Sequence, residues 1–561
     1  MNNKKNSIIQ FFIVIAAVLA VNFLAGLYFT RFDFTKEKRY TLSNGTKDIL
    51  ANLDHEVVVN VYLDGDFPAN FKHLKNSTCE MLDEMKAYAN GNLSYNFIDP
   101  FIGSTSEQQN ALLDKLTKAG LQPTNLMVKT EQVKTQKLIV PGALVNLNGK
   151  QLPVQLLQNQ SKWGAGSQEE VINASIENME YQFASTIKKL SEKNKPLVGF
   201  LLGHGELNDR ELADIGHTLS QSYELRRVDM NVVKLADLIK FKTVVIAKPS
   251  MHFEEAEKYK LDQFLMHGGR LLWLIDQVNA ETDSIRNRGS ALAYPKELNL
   301  DDQLFRYGVR INYDLLQDAY SARIPVMIGS GQQAQQELLP WVYYPLLMAQ
   351  TNNPIVRNLD PVRTQFVNSI DTIANKGIHK EVLLSTSPYT RKIAAPTMLS
   401  LSIIEDESDP KKFNAGPQAV AVVLEGKFKS VFAGRTIEGV DQSVPFSQGE
   451  QESRMIVISD GDIIRNEISA LDKTVFPLGF DKYTQQTFGN KLFVENCIDY
   501  LTDDSGLLTL RTKEVKIRLL DKQRIITEKI KWQLINTLMP VLAIILFGIL
   551  HHYYRRKKYS K

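Results

Sequence analysis

Two long apolar runs, one at each end of the chain, constrain this sequence more than anything between them. From Ile8 to Thr30, IIQFFIVIAAVLAVNFLAGLYFT carries no charge, and Gln10 and Asn22 are its strongly polar side chains. At about 1.5 Å per residue such a run crosses a hydrocarbon core as a helix. A cleavable leader has an apolar region of roughly 7–15 residues and a small-x-small cleavage site. This run is longer and passes straight into Arg31, so it reads as an uncleaved anchor over 8–30. At the other end, LINTLMPVLAIILFGIL (Leu534 to Leu550) reads as a second span within 532–552, with Pro540 as a place to kink. Trp532, Tyr553 and Tyr554 flank it as interfacial aromatics.

Two spans put both termini on one side of a membrane and the stretch between them on the other. Lys4 and Lys5 precede the first span, while Arg31, Lys36, Lys38 and Arg39 follow it, which nearly balances. The tail 553–561, with Arg555, Arg556, Lys557 and Lys558, tips the balance toward cytoplasmic termini. The expectation is an inner-membrane protein with residues 1–7 and 553–561 in the cytoplasm and a large periplasmic region.

That region is too long for one core and, in a chain 43% hydrophobic and 23% charged, too apolar for disorder. The formal net charge of +3 is spread along the chain, so no nucleic-acid partner is expected. Cys79 and Cys497 form neither a disulfide framework nor a zinc quartet. Cys79 reads as core on the first helix, and Cys497 as part of an apolar stripe.

The overall reading is α/β: two transmembrane helices flank an extracytoplasmic region with a thioredoxin-like α/β domain and a Rossmann-like parallel-sheet domain. In 31–165, EVVVNVYLDGD and LSYNFIDP read as strands around an amphipathic helix over Phe71 to Ala89, followed by a helix near Gln108 to Ala119, the strand LMVKT and a hairpin turning at Asn148-Gly149. A connecting helix over 166–193 follows, starting at a Ser167/Glu170 capping box. In 194–505, near-continuous apolar strands such as PLVGFLL, TVVIAKP and RLLWLID alternate with helices, which predicts a parallel sheet covered on both faces, with loop insertions. ETDSIRNRGSALAYP and IGSGQQAQQ read as loops or lids, PQAVAVVLEGKFKSVFAG as two strands about Gly426, SVPFSQGEQESR as an exposed loop, and 506–531 as a membrane-proximal stalk.

In such sheets ligands bind beyond the carboxyl ends of the strands. Five residues fall there and are the binding candidates: His204 and Glu206 in LLGHGEL, Asp276 after RLLWLI, and Asp460 and Asp462 in the DGD after RMIVIS. Gly203 and Gly205 lack the third glycine of a dinucleotide fingerprint, since Asn208 stands in its place. No GxxxxGK[ST], G-x-S-x-G or elbow cysteine occurs, and no catalytic residue or cofactor is assigned. A cation at the three aspartates is chemically allowed, but aspartates also cap turns at such places, and no metal is expected. His204 and Glu206 read first as a glycine turn, with Glu206 charging the next helix's first turn.

The ordered segments RYTLSNGTKDIL, IENMEYQFASTIKKL, LLGHGEL, FLMHGGRLLWLID, ISDGDIIRNE and LRTKEVKIRLLDK, set between two spans, resemble the GldG-like family of ABC-transporter auxiliary proteins. The resemblance implies an extracytoplasmic auxiliary subunit, labelled substrate-binding, in gliding bacteria of the Bacteroidetes. It also implies a separate permease and ATPase as partners, with envelope proteins as further ones. It transfers no catalytic residue. The alternatives are a membrane-anchored ligand-binding module and a metal-dependent hydrolase.

Overall fold

The computed structural model describes residues 11–18, 41–101, 105–121, 123–129, 134–157, 168–192, 194–328, 335–403, 410–435, 444–469, 471–504, 506–512 and 522–559. The chain divides into two units, Met1–Lys513 and Glu514–Lys561.

In the first unit, α1 (Asn44–Ala51) precedes β1 (Val57–Val61), α2 (Ala69–Tyr88), β2 (Leu93–Phe97), α3 (Ser106–Lys118), β3 (Gly142–Leu147) and β4 (Lys150–Gln155). The sheet order is β2-β1-β3-β4, with β2 parallel and β3 antiparallel to β1. Period-2 burial explains β1: Val57, Val59 and Val61 are fully buried while Val58 and Asn60 are not. Asn148 and Gly149, at φ +50 and +77, turn the β3–β4 hairpin as their sequence indicates. Cys79 is half-buried, with Sγ 3.5 Å from the Tyr95 hydroxyl, so it is not a core residue.

Helix α4 (Gln168–Ser191) buries Ile172, Met179, Phe183 and Ile187 in this first core. Its other side reaches forward: Lys189 pairs with Asp499 at 3.0 Å and Lys188 with Asp503 at 2.7 Å. The Ser167 end of the expected capping box lies outside the described residues.

The larger sheet contains β5 (Leu197–Leu202), β6 (Glu224–Asp229), β7 (Thr243–Ala247), β8 (Arg270–Leu274), β9 (Ser321–Ile328), β10 (Gln335–Ala349), β11 (Ile378–Ser385), β12 (Ala419–Lys427) and β13 (Glu452–Ile458). Their order is β9-β10-β11-β12-β13-β8-β7-β5-β6. From β13 to β6 every pairing is parallel, in the doubly wound order 2-1-3-4-5. From β13 outward to β9 every pairing is antiparallel. The sheet is therefore mixed, and the expectation of a parallel sheet holds for only half of it. Apolar residues run through the inner parallel strands β5, β7 and β8 because both faces are covered, whereas the edge strand β6, ELRRVD, is mostly polar. Val245, Leu272 and Ile456 pack on one face with α5 (Ala213–Ser220) and α7 (Asn490–Thr502), while Val244, Leu271 and Met455 pack on the other with α6 (Glu255–Met266).

Two expectations about the insertions are corrected. ETDSIRNRGSALAYP is not a loop but a helix, Thr282–Arg288, closed by left-handed Gly289 and followed by the strand Ser290–Pro295. That strand pairs with Thr397–Ser400 across more than a hundred residues, a partner no local pattern reveals. Nor does PQAVAVVLEGKFKSVFAG fold back at Gly426: β12 runs through it, pairing Gly426 with Ile378 and Ser453. The six residues 329–334 of IGSGQQAQQ lie outside the described residues.

In the second unit, α8 (Lys522–Tyr559) runs unbroken through Pro540. Its segment Thr527–Lys557 contains an 18-residue stretch of mean hydropathy 2.1 and is long and apolar enough to cross a membrane. It is the only such helix among the described residues, and most of the expected first span at 8–30 lies outside them.

Candidate functional site

The ends of the parallel strands lie side by side and each carries polar groups: His204 and Glu206 after β5, Lys248 after β7, Asp276 after β8, and Asp460 and Asp462 after β13. Asp276, Asp460 and Asp462 are buried, with oxygens within 4.8 Å of one another. Carboxylates this close demand a counter-cation or a proton.

Both are provided. Lys248 Nζ lies 2.6 Å from each oxygen of Asp462, 3.4 Å from Asp276 and 3.1 Å from Glu281. Arg465 reaches Asp462 at 3.3 Å and Glu211 at 2.9 Å, and Lys296 lies 3.6 Å from Asp276. Burial alone would raise the Asp462 carboxyl, but Lys248 and Arg465 hold it below its ordinary range. Asp460 instead accepts the Gln365 and Asp462 N–H groups, at 2.8 and 2.7 Å. Burial, together with the neighbouring Asp462 and Asp276, pushes it well above the carboxylate range, which favours its protonated form. An ammonium belonging to the chain itself thus stands where a bound cation would neutralise these acids. Lys248 adopts φ +57, a left-handed conformation costly for a side-chain-bearing residue, and a side chain at Gly461 would collide with it.

His204 faces away from the aspartates. Its Nε2 is 2.8 Å from Glu257 Oε2 on the first turn of α6, its Nδ1 is 3.5 Å from Glu206 Oε1, and its ring stacks on Phe253 at 3.7 Å. Burial would lower its pKa, but the hydrogen bonds and charges of Glu206 and Glu257 hold it above the ordinary value. Glu206 Oε2 accepts the His204 N–H at 2.8 Å. Glu206 therefore caps its own turn rather than the next helix, which begins only at Ala213.

The five expected residues thus form two groups. The aspartates gather around Lys248, and His204 pairs with Glu206 and Glu257. A crevice of about 580 Å³ adjoins both, walled by Glu206, Glu211, Lys248, Glu281, Tyr294, Lys296 and Arg465. Of these, only Glu206 is among the sequence candidates. Lys248 was findable, because it ends TVVIAKP by the same strand-end rule that selected Asp276.

The fold and crevice define an α/β protein with a strand-end site on a doubly wound sheet, in a chain that also carries a membrane-length helix. The chain belongs to the family described as ABC-type uncharacterized transport system, an auxiliary-component family whose profile matches residues 195–497. A domain of unknown function matches residues 36–146. A protein of Borreliella burgdorferi described as uncharacterized is 18% identical over 575 residues, covering 99% of this chain and 100% of its own. Among solved structures, the mmIFT52 N-terminal domain is 13% identical with a TM-score of 0.31, covering 55% of this chain and 98% of its own. A putative ThuA-like protein from Parabacteroides merdae is 11% identical with a TM-score of 0.25, covering 58% and 93%. These superpositions are too loose to bear on fold or function.

Proposed function

We propose that this protein is a non-enzymatic auxiliary subunit of an ABC-type membrane complex that serves bacterial gliding motility, as the GldG-like resemblance of its ordered segments suggests. Two spans, 8–30 and 532–552, hold it in the inner membrane, with both termini in the cytoplasm and the two α/β domains in the periplasm. The observation that carries this reading is the family match over 195–497 in a chain that also has the apolar helix segment Thr527–Lys557. The sequence has no phosphate-binding GxxxxGK[ST], so a separate chain must hydrolyse ATP, and two spans are too few to enclose a transport path. The subunit then supplies an extracytoplasmic surface to a separate permease.

Crosslinking in cells followed by purification in mild detergent tests this. The expected result is recovery of a permease together with an ATPase. Recovery of neither would overturn the complex. Intact gliding after deletion of the chain would overturn the motility assignment alone.

A further inference from the structure

We infer that the membrane-length helix α8 pairs with α8 of a second copy of this chain, through the face that carries Gln533, Asn536, Thr537 and Pro540. The inference rests on the reading of 532–552 as a span and goes beyond it.

The helix has two unlike sides. At about 100° per residue, Ile535, Leu538, Leu542, Ile545, Leu546 and Ile549 share one side, aliphatic and exposed throughout. Gln533, Asn536, Thr537 and Pro540 fall within about 100° of one another on the opposite side. The first side matches lipid, whereas polar side chains at this depth turn toward a neighbouring helix.

Pro540 makes that need specific. It has no N–H, so the Asn536 carbonyl loses the donor that normally stands four residues on. Helix carbonyls point toward the C-terminus, so this one aims at the middle of the bilayer rather than at the headgroups. Centring about 30 Å of hydrocarbon on Leu542 puts Asn536 roughly 6 Å inside the boundary. The adjacent hydroxyl is engaged elsewhere, since Thr537 donates to the Gln533 carbonyl at 2.7 Å. Trp532 Nε1 donates to Glu528 at 3.0 Å, but the exposed Asn536 carboxamide makes no hydrogen bond among the described residues. One residue thus offers a carbonyl without a donor beside an amide with two unused N–H groups, where water does not stand in for a partner.

A second copy supplies both at the required depth. Two parallel α8 helices related by a twofold axis along the bilayer normal bring Asn536 opposite Asn536. One Nδ2 hydrogen then reaches the other copy's carboxamide oxygen and the second its Asn536 carbonyl, so the two chains are satisfied alike. A helix from a different chain would need a donor set at the same level, which symmetry gives to the copy.

The test uses full-length chain labelled at its C-terminus with a donor or an acceptor fluorophore, in vesicles of phosphatidylethanolamine and phosphatidylglycerol. Energy transfer is followed against the protein-to-lipid ratio, and saturation as a dimer is expected. Asn536→Leu should weaken association about tenfold, while Leu542→Ala on the aliphatic side should leave it unchanged. Leu542→Cys in a Cys79→Ser background checks the span separately, through its protection from a water-soluble maleimide in intact vesicles. Ready labelling would overturn the span and the pairing with it. With Leu542→Cys protected, a monomeric parent, undiminished transfer in Asn536→Leu, or equal losses in Asn536→Leu and Leu542→Ala would overturn the pairing alone.

Discussion

Lys248 Nζ lies 2.6 Å from both carboxylate oxygens of Asp462, although the two residues stand 214 positions apart in the chain. The pair joins the carboxyl end of β7 to that of β13, across the strand β8 that carries Asp276. It therefore fixes the spacing of three strand ends beneath the crevice. A buried bidentate pair of this kind gains little over an apolar isostere, but removing one partner strands the other's charge.

Lys248→Met is accordingly expected to lower stability by about 3–5 kcal/mol, because Asp462, Asp276 and Glu281 would lose their shared cation. Adding Asp462→Asn should recover part of that loss, since contacting residues do not add independently. Denaturant unfolding of the full chain in detergent measures both. A single-variant loss below about 1 kcal/mol would mean that water screens the network as it does a surface pair.

Gly205 offers a sharper local test. It sits at φ +71, and a Cβ there would run into the Ser250 side chain. Gly205→Ala should cost about 1–3 kcal/mol from left-handed strain and displacement of the His204 turn. Gly216 in α5 has open space around its Cβ position, and Gly216→Ala should be neutral or stabilising by up to about 1 kcal/mol. Equal effects from the two substitutions would refute the conformational argument.

The parallel half of the sheet and its strand-end aspartates were legible because each depends on a local signal: an unbroken apolar run, then a polar residue. Asp276, Asp460 and Asp462 do meet. Lys248 stands at the same kind of strand end, closing TVVIAKP, but nothing local shows that its side chain reaches Asp462 beyond β13. Glu281 and Lys296 lie at the ends of a segment that reads as loop, because its strand is held by Thr397–Ser400 rather than by a sequence neighbour. Glu257 looks like an ordinary first-turn acid of α6, and its other role follows from His204 lying 53 residues earlier. The antiparallel extension was missed for the same reason: pairing across long insertions leaves no periodic trace.

Glu495 on α7 makes a prediction of opposite sense to most carboxylates. Burial pushes its carboxyl up to about 7, with Lys491 and Lys189 opposing and Asp499 and Asp214 adding to the shift. The folded state therefore holds the proton more tightly than the unfolded chain does. That contribution is full below the ordinary value of 4.5 and is lost as pH rises to about 7. Glu495→Gln, which cannot ionise, should raise the unfolding temperature relative to the parent at pH 8 and change it little at pH 4.5. An offset that does not vary with pH would sink the assignment.

His204 titrates the same way for a different reason. Its imidazolium is held above the ordinary 6.5 against the penalty of burial, by Glu206 on its own turn and Glu257 on α6. The stabilisation is complete below 6.5 and disappears as pH rises through the folded value. His204→Gln keeps a hydrogen-bond donor but no charge, so the parent should exceed it in stability at pH 6 and lose that margin by pH 9. Comparing the two proteins at each pH cancels Glu495, which titrates equally in both. If the margin is the same at both pH values, the ring is neutral and its contribution is stacking on Phe253. If it falls as expected, the turn that carries Glu206 is held by a charge, and raising the pH should loosen that turn before it unfolds the sheet.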